Sequence, residues 1–310
     1  MDNYLLALDF GGTKLSAAVL PVSELQQDSP TWLAHERVFS PQDGDARFDI
    51  EAMIRLGKRL LGGKRPLSVG VSFGGPVDYL SRIVRLSHHV PGWENVPLQK
   101  LLEVEFSSPV RVDNDANIAA LGEWRFGAGR GIDSLFYVTV STGVGGGWVL
   151  NGSSWRGHEG MAGEIGHTVV DPDGPVCLCG KRGCVERLAS GPYMAQDFMA
   201  LSGSIDADIT GKMVAELAAQ GDEYARKILL RGARALGIGL GNAANLINPQ
   251  RFVLGGGVTK SGELWWQKVR HAAEQTALPE VRFDIVPAVF ADDAPLWGAV
   301  ALMEGLKDEG

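Results

Sequence analysis

The 310-residue chain has only three cysteines, Cys177, Cys179 and Cys184, and all of them fall in one short segment. An odd, clustered count argues against a secreted disulfide framework and for a metal site. No apolar run approaches the roughly 18 residues that a membrane span needs, and Met1-Asp2-Asn3-Tyr4 places no positive charge ahead of the first apolar stretch. Positive charge is also scarce. Lys and Arg number 29 against 37 Asp and Glu, for a net charge of −8, and basic residues gather no further than pairs such as Lys64-Arg65 and Lys181-Arg182. Nonspecific binding to nucleic acid or to an anionic membrane is therefore disfavoured, and the expectation is a cytoplasmic chain, entire as it stands.

What is present is an ordinary globular composition, 45% hydrophobic and 21% charged. A single core stops growing near ~250–300 residues, so two lobes with a cleft between them, joined by short hinges, are expected. An apolar run over 4–9 meets Gly11-Gly12 and is followed by a second run over 15–20, which reads as strand, glycine turn, strand. The same shape returns about 130 residues later, where 135–140 enters Ser141-Thr142-Gly143-Val144-Gly145-Gly146-Gly147 and continues as Trp148-Val149-Leu150. Two such hairpins indicate duplicated lobes. Helical spacing covers 49–61, 185–200, 213–219, 224–246, 263–274 and 295–306; short strands are read at 68–72, 110–112, 251–254 and 283–286. Strands first paired by tight turns and later separated by helices make this an α/β chain with mixed sheets.

Three features carry chemistry. Asp9-Phe10-Gly11-Gly12-Thr13-Lys14 offers closely spaced N–H groups, a hydroxyl and an ammonium, a set able to hold a phosphate, although neither the Walker A nor the dinucleotide G-x-G-x-x-G pattern is matched. His167, Cys177, Cys179 and Cys184 have the types and number for one tetrahedral Zn²⁺ with no open position, hence a structural site, and Gly180 and Gly183 suit the turns between ligands. Asp113-Asn114-Asp115-Ala116-Asn117 ends a strand and can cap the Ala-rich helix that follows; a carboxylate at such a strand end can also take a proton from a hydroxyl.

These segments, together with Gly163-Glu164-Ile165-Gly166-His167 and Cys177-x-Cys179-Gly180-x-x-Gly183-Cys184-x-Glu186, occur in the order seen in the repressor, open reading frame, kinase (ROK) family, which the chain resembles from about residue 4 to 305. The resemblance implies the two-lobed actin, hexokinase and Hsp70-like (ribonuclease H-like) fold with an inter-lobe cleft. It implies an N-terminal lobe over 1–113, joined by a C-terminal helix at 295–310, and a larger lobe over 114–294 carrying a zinc loop at 167–184. The activity implied is ATP-dependent phosphorylation of a hexose, glucose first, at the 6-hydroxyl. Other sugars (N-acetylmannosamine, N-acetylglucosamine, fructose, mannose) or a catalytically silent sugar sensor are the alternatives. By the same resemblance Asp115 is the general base, Gly75, Asn114, Asp115, Glu164, His167 and Glu186 contact the sugar, and Asp9 holds Mg²⁺. Gly11, Gly12, Thr13 and Lys14 face the transferring phosphate, Thr142 and Gly143 form a second phosphate loop, and Gly256 and Gly257 lie beside the adenosine. A homodimer or homotetramer is expected, with Trp265-Trp266 suited either to an interface or to the core. Where many members carry Pro-Asn-Leu ahead of Gly-Trp, this chain has Ser87-His88-His89-Val90-Pro91-Gly92-Trp93, which bears on sugar choice.

Overall fold

The computed structural model describes residues 3–87, 90–206 and 208–304; His88-His89 and the 305–310 end of the expected last helix lie outside them. The chain forms two compact units, one of residues 1–130, 156–160 and 292–310, the other of 131–155 and 161–291.

The first unit is built on β1 (Tyr4–Phe10), β2 (Lys14–Pro21), β3 (Ala34–Phe39), α1 (Ala46–Leu60), β4 (Ser68–Phe73), β5 (Val77–Asp78), β6 (Ile83–Val84), α2 (Leu98–Phe106), β7 (Val110–Asn114) and α3 (Asp115–Phe126). Its sheet has the order β3-β2-β1-β4-β7, an antiparallel meander continued by two parallel strands. All seven residues of β1 are buried, which is why it reads as an unbroken apolar run rather than an alternating one. Helix α1 begins at Ala46, earlier than its apolar spacing shows, because Asp45 caps it by accepting the Phe48 N–H at 2.8 Å.

The C-terminal helix, Ala294–Glu304, packs on β1, β4 and β7 so closely that a Cβ on Gly70 would lie 2.0 Å from the Ala299 carbonyl oxygen. The expected lobe boundary at 113 differs from the observed division, which continues the first unit through Arg130. The reason is glycine-to-glycine packing: a Cβ on Gly298 would lie 1.7 Å from Ile118 O, and one on Gly122 would lie 2.6 Å from Gly298 N, so α3 is locked to the C-terminal helix.

The second unit holds β8 (Ser134–Val140), β9 (Val144–Leu150), β10 (Ser153–Trp155), α4 (Val185–Ala189), α5 (Gly191–Ser202), α6 (Gly211–Ala219), α7 (Glu223–Ile247), β11 (Arg251–Gly255), α8 (Glu263–Thr276) and β12 (Asp284–Pro287). Its sheet order, β10-β9-β8-β11-β12, repeats the first: a meander followed by two parallel strands. The expected helix over 185–200 is two helices, broken where Ser190 is extended (φ −73°, ψ 151°) ahead of Gly191-Pro192. Trp265 is 1% exposed in this unit's core, and Trp266 packs against the same core with its indole N–H donating to the Thr259 carbonyl at 2.9 Å.

Candidate functional site

In the first unit, the parallel register sets Asp9, Ser72 and Asp113 level on neighbouring strands β1, β4 and β7. Asp9 is 7% exposed. Burial, with the like charge of Asp115 adding to it, pushes its carboxyl up to about 7 against the opposing pull of Ser72, Lys14 and Arg37. A carboxylate so placed gains from a nearby cation. The loop beyond it turns tightly. Gly11 N–H donates to the Lys14 carbonyl at 3.1 Å, and a Cβ on Gly11 would lie 2.6 Å from that oxygen. The Thr13 carbonyl accepts from Ser40 N–H at 3.0 Å, and the Lys14 ammonium lies 3.4 Å from Asp292 Oδ2.

At the β7–α3 junction, Asn114 and Asp115 both accept from the Ala116 N–H. Asn114 is the N-cap: its Oδ1 accepts from Ala116 N–H at 3.0 Å and Asn117 N–H at 3.4 Å. Its amide donates to the Gly75 carbonyl at 3.1 Å, which ties the strand end to the β4–β5 turn and uses one of the group's two N–H donors. Asp115 is the first residue of α3, with Oδ1 accepting its neighbour Ala116 N–H at 2.8 Å. A negative charge there is favoured by the helix N-terminus. Gly75 is required at its position, since a Cβ would approach the Leu86 carbonyl oxygen to 2.7 Å.

In the second unit, the ligand atoms of His167, Cys177, Cys179 and Cys184 all lie within 4.8 Å of one another. A zinc tetrahedron with Zn–S bonds of about 2.3 Å has edges of about 3.8 Å. The Cys179–Cys184 sulfur separation is 3.6 Å and Cys177 Sγ lies 3.9 Å from His167 Nδ1, so the donor set fits the ion in type and spacing. Burial, then the neighbouring thiols, push Cys184 up to about 12, while the Lys181 backbone N–H draws exposed Cys179 down. A bound cation would remove those protons.

Glu164, exposed, precedes the short turn Ile165–His167. Glu186 lies in α4, two residues beyond Cys184, and is 9% exposed. Its Oε2 accepts the Val144 N–H at 2.9 Å, so the first turn of α4, which follows the Cys/His cluster, is tied to the start of β9, directly after Thr142 and Gly143.

A cavity of about 710 Å³ opens beside that loop, within the range of small-molecule sites. Thr142 and Gly257 line it. Gly256, with φ 88° and a would-be Cβ 2.3 Å from Val140 O, supplies the sharp turn behind Gly257. Sequence reasoning missed another part of the lining, where Gly191 and Pro192 open α5, with Gly191 N–H donating to the Ser141 carbonyl at 2.9 Å, and Gly211 and Lys212 open α6. Two helix N-terminal turns at one cavity favour an anionic guest. The available signal was the pair Ser190-Gly191 and Thr210-Gly211, a cap-type residue followed by glycine. Those glycines touch, since a Cβ on Gly211 would lie 2.5 Å from Gly191 Cα.

The ROK family model matches residues 5–305. The chain belongs to the ROK family. Among its ROK relatives, a glucokinase of Halalkalibacterium halodurans is 37% identical over 90% of this chain and 88% of that protein. An N-acetylmannosamine kinase of Escherichia fergusonii is 34% identical over 97% of this chain and 99% of the relative. The crystal structure of a ROK glucokinase from Streptomyces griseus, in complex with glucose and AMPPNP, superposes with a TM-score of 0.77 at 33% identity, covering 97% of this chain and 99% of that one. The two repeated sheets are those of the actin-like, two-domain ROK sugar kinase fold.

Proposed function

We propose that this ROK protein is an ATP-dependent sugar kinase that transfers the γ-phosphate to the 6-hydroxyl of glucose. The observation that carries the reading is the placement of Asp115 at the head of α3, near enough to Asp9 for their charges to interact, with the Gly11-Gly12-Thr13-Lys14 loop leading out of the same strand as Asp9. The glucokinase relative and the glucose-bound and AMPPNP-bound neighbour support it.

In this reading Asp115 accepts the proton of the attacking hydroxyl as its oxygen bonds to the γ-phosphorus and the bond from that phosphorus to the bridging oxygen of ADP breaks, and the loop N–H groups with Lys14 face the transferring phosphoryl group. Asn114 orients a sugar hydroxyl with its remaining amide donor. Glu164 and Glu186 accept from others, carboxylates being suited to paired hydroxyls, while His167, with one ring nitrogen given to the zinc, donates its other ring N–H to a sugar oxygen. His167 stands in both the sugar and the zinc sets, and its two ring nitrogens allow one bond to each. The cavity beside Thr142 and Gly257 takes the nucleotide. Asp9 would hold Mg²⁺ through water, an ion whose chemistry is charge neutralisation on the phosphates. The four-ligand zinc would shape the loop that carries Glu164 and Glu186 without acting as a Lewis acid.

Release of ADP from Mg-ATP, measured against glucose, mannose, fructose, N-acetylglucosamine and N-acetylmannosamine, tests this. Glucose is expected to give the highest kcat/KM. A higher value with N-acetylmannosamine would keep the kinase and replace its substrate, and no release with any of them would overturn the kinase.

A further inference from the structure

Two charged residues that no step above uses form an ion pair beside the proposed base. Asp113, 1% exposed, accepts the Asn114 N–H through Oδ1 at 2.8 Å, with the Asn117 amide at 3.5 Å, and takes Arg156 Nε on Oδ2 at 2.7 Å. The Arg156 guanidinium lies over the Tyr79 ring, 3.8 Å from its centroid, in the turn that connects β5 and β6. The two side chains of the pair are 2% and 18% exposed.

Arg156 reaches this place by an excursion of the chain. It follows β10 directly, and residues 156–160 pack with the first unit although the residues on either side belong to the second. Gly157 and Gly160, at φ 72° and 77°, turn the chain, in a conformation that side-chain-bearing residues rarely adopt. The result is a guanidinium bonded at its edge and stacked on its face, which lysine cannot reproduce.

The electrostatic setting gives the pair a task. Asp9 and Asp113 lie at neighbouring strand ends and Asp115 opens the helix that follows, its negative charge acting against that of Asp9. Asp113 also fixes the backbone of Asn114, whose side chain caps α3 and holds Gly75.

We propose that Arg156 is a positioning residue for Asp115: by neutralising and orienting buried Asp113, it sets the backbone from which Asp115 leaves the strand. It contacts no substrate, and the inference rests on Asp115 being the base.

The test is steady-state kinetics, with sugar and ATP varied separately and rates normalised to folded protein, on R156Q, R156K, D113N, the double variant D113N/R156Q and D115N. R156Q is expected to lower kcat at least 30-fold with the ATP KM within twofold, and R156K to restore only part of it. The double variant, which leaves no buried charge unpaired, is expected to recover at least fivefold over R156Q. If R156Q fails to fold, R156K, which keeps the charge, is still expected to lower kcat severalfold. An R156Q or R156K enzyme whose folded fraction turns over at the wild-type rate, or a double variant no faster than R156Q, overturns the proposal. D115N separates its failure from that of the underlying reading. If D115N keeps the wild-type rate, Asp115 is not the base and the proposal falls with it; if D115N is inactive while R156Q is unaltered, Arg156 alone is removed.

Discussion

Glu186 ties the first turn of α4 to the start of β9 through a single carboxylate, and Gly143 is what leaves room for it. A methyl group on Gly143 would lie 2.8 Å from Glu186 Oε2, the atom that accepts the Val144 N–H. The carboxylate is the far end of a flexible side chain, so it can move aside at little cost to the fold, but the bond to Val144 is then lost. Gly143→Ala is expected to keep Tm within about 3 °C, equivalent to about 1 kcal/mol or less in a unit of this size. AMPPNP binding, measured by calorimetry without sugar, is expected to weaken about fivefold; unchanged affinity would show that the Glu186 link does not shape the nucleotide loop. At this scale the sequence distinguished residue types better than their roles. Asp113, Asn114 and Asp115 were all legible as a polar strand end, but aspartate and asparagine are both favoured at the cap and in the first turn, so which one caps was settled only by the observed bonds of Asn114. Arg156 carried no signal, because a lone arginine 43 residues from its partner has no local pattern.

Among the elements, the segment that carries the Cys/His cluster is tightly constrained by backbone geometry. Gly183 has φ 62°, and a Cβ there would lie 1.6 Å from the Asp171 carbonyl oxygen, with the adjoining Val170 and Asp171 N–H groups both donating to the Gly183 carbonyl. Backbone on both sides leaves nowhere to yield. Gly183→Ala is therefore expected to cut the zinc content, measured by plasma emission spectrometry, from about one ion per chain to below about a third, with Tm several degrees lower. Full zinc occupancy at unchanged Tm would contradict this account of the loop. The grouping of His167 with the three cysteines was legible because cysteine is rare and every copy falls in one segment. The glycine hairpins and buried central strands were legible for a similar reason, each having a strong local signature. Strand β3 (Ala34–Phe39) was not, since it lies at the sheet edge, partly exposed and carrying His35, Glu36 and Arg37, so neither alternation nor an apolar run marks it. The nine-residue α2 was too short to show its period.

For the molecule as a whole, the duplication was legible from two glycine-turned hairpins about 130 residues apart, and the two sheets repeat one topology strand for strand. The limits of the units were not, because they follow from contacts far apart in sequence: Gly122 against Gly298 draws α3 into the first unit, and Arg156 against Asp113 draws in a five-residue excursion from the second. The family resemblance supplied the activity, and the structure sets Asp115 at the head of α3 with its charge acting on buried Asp9, which is the arrangement the proposed role of Asp115 as base draws on. Phosphorus NMR of glucose incubated with Mg-ATP and either the wild type or D115N tests the central claim most directly. The wild type is predicted to produce a glucose 6-phosphate signal matched by ADP, and D115N to produce it at least about 10³-fold more slowly, within the range that a general base contributes. A D115N rate near that of the wild type, or phosphate appearing on water with no sugar ester formed, would contradict the account.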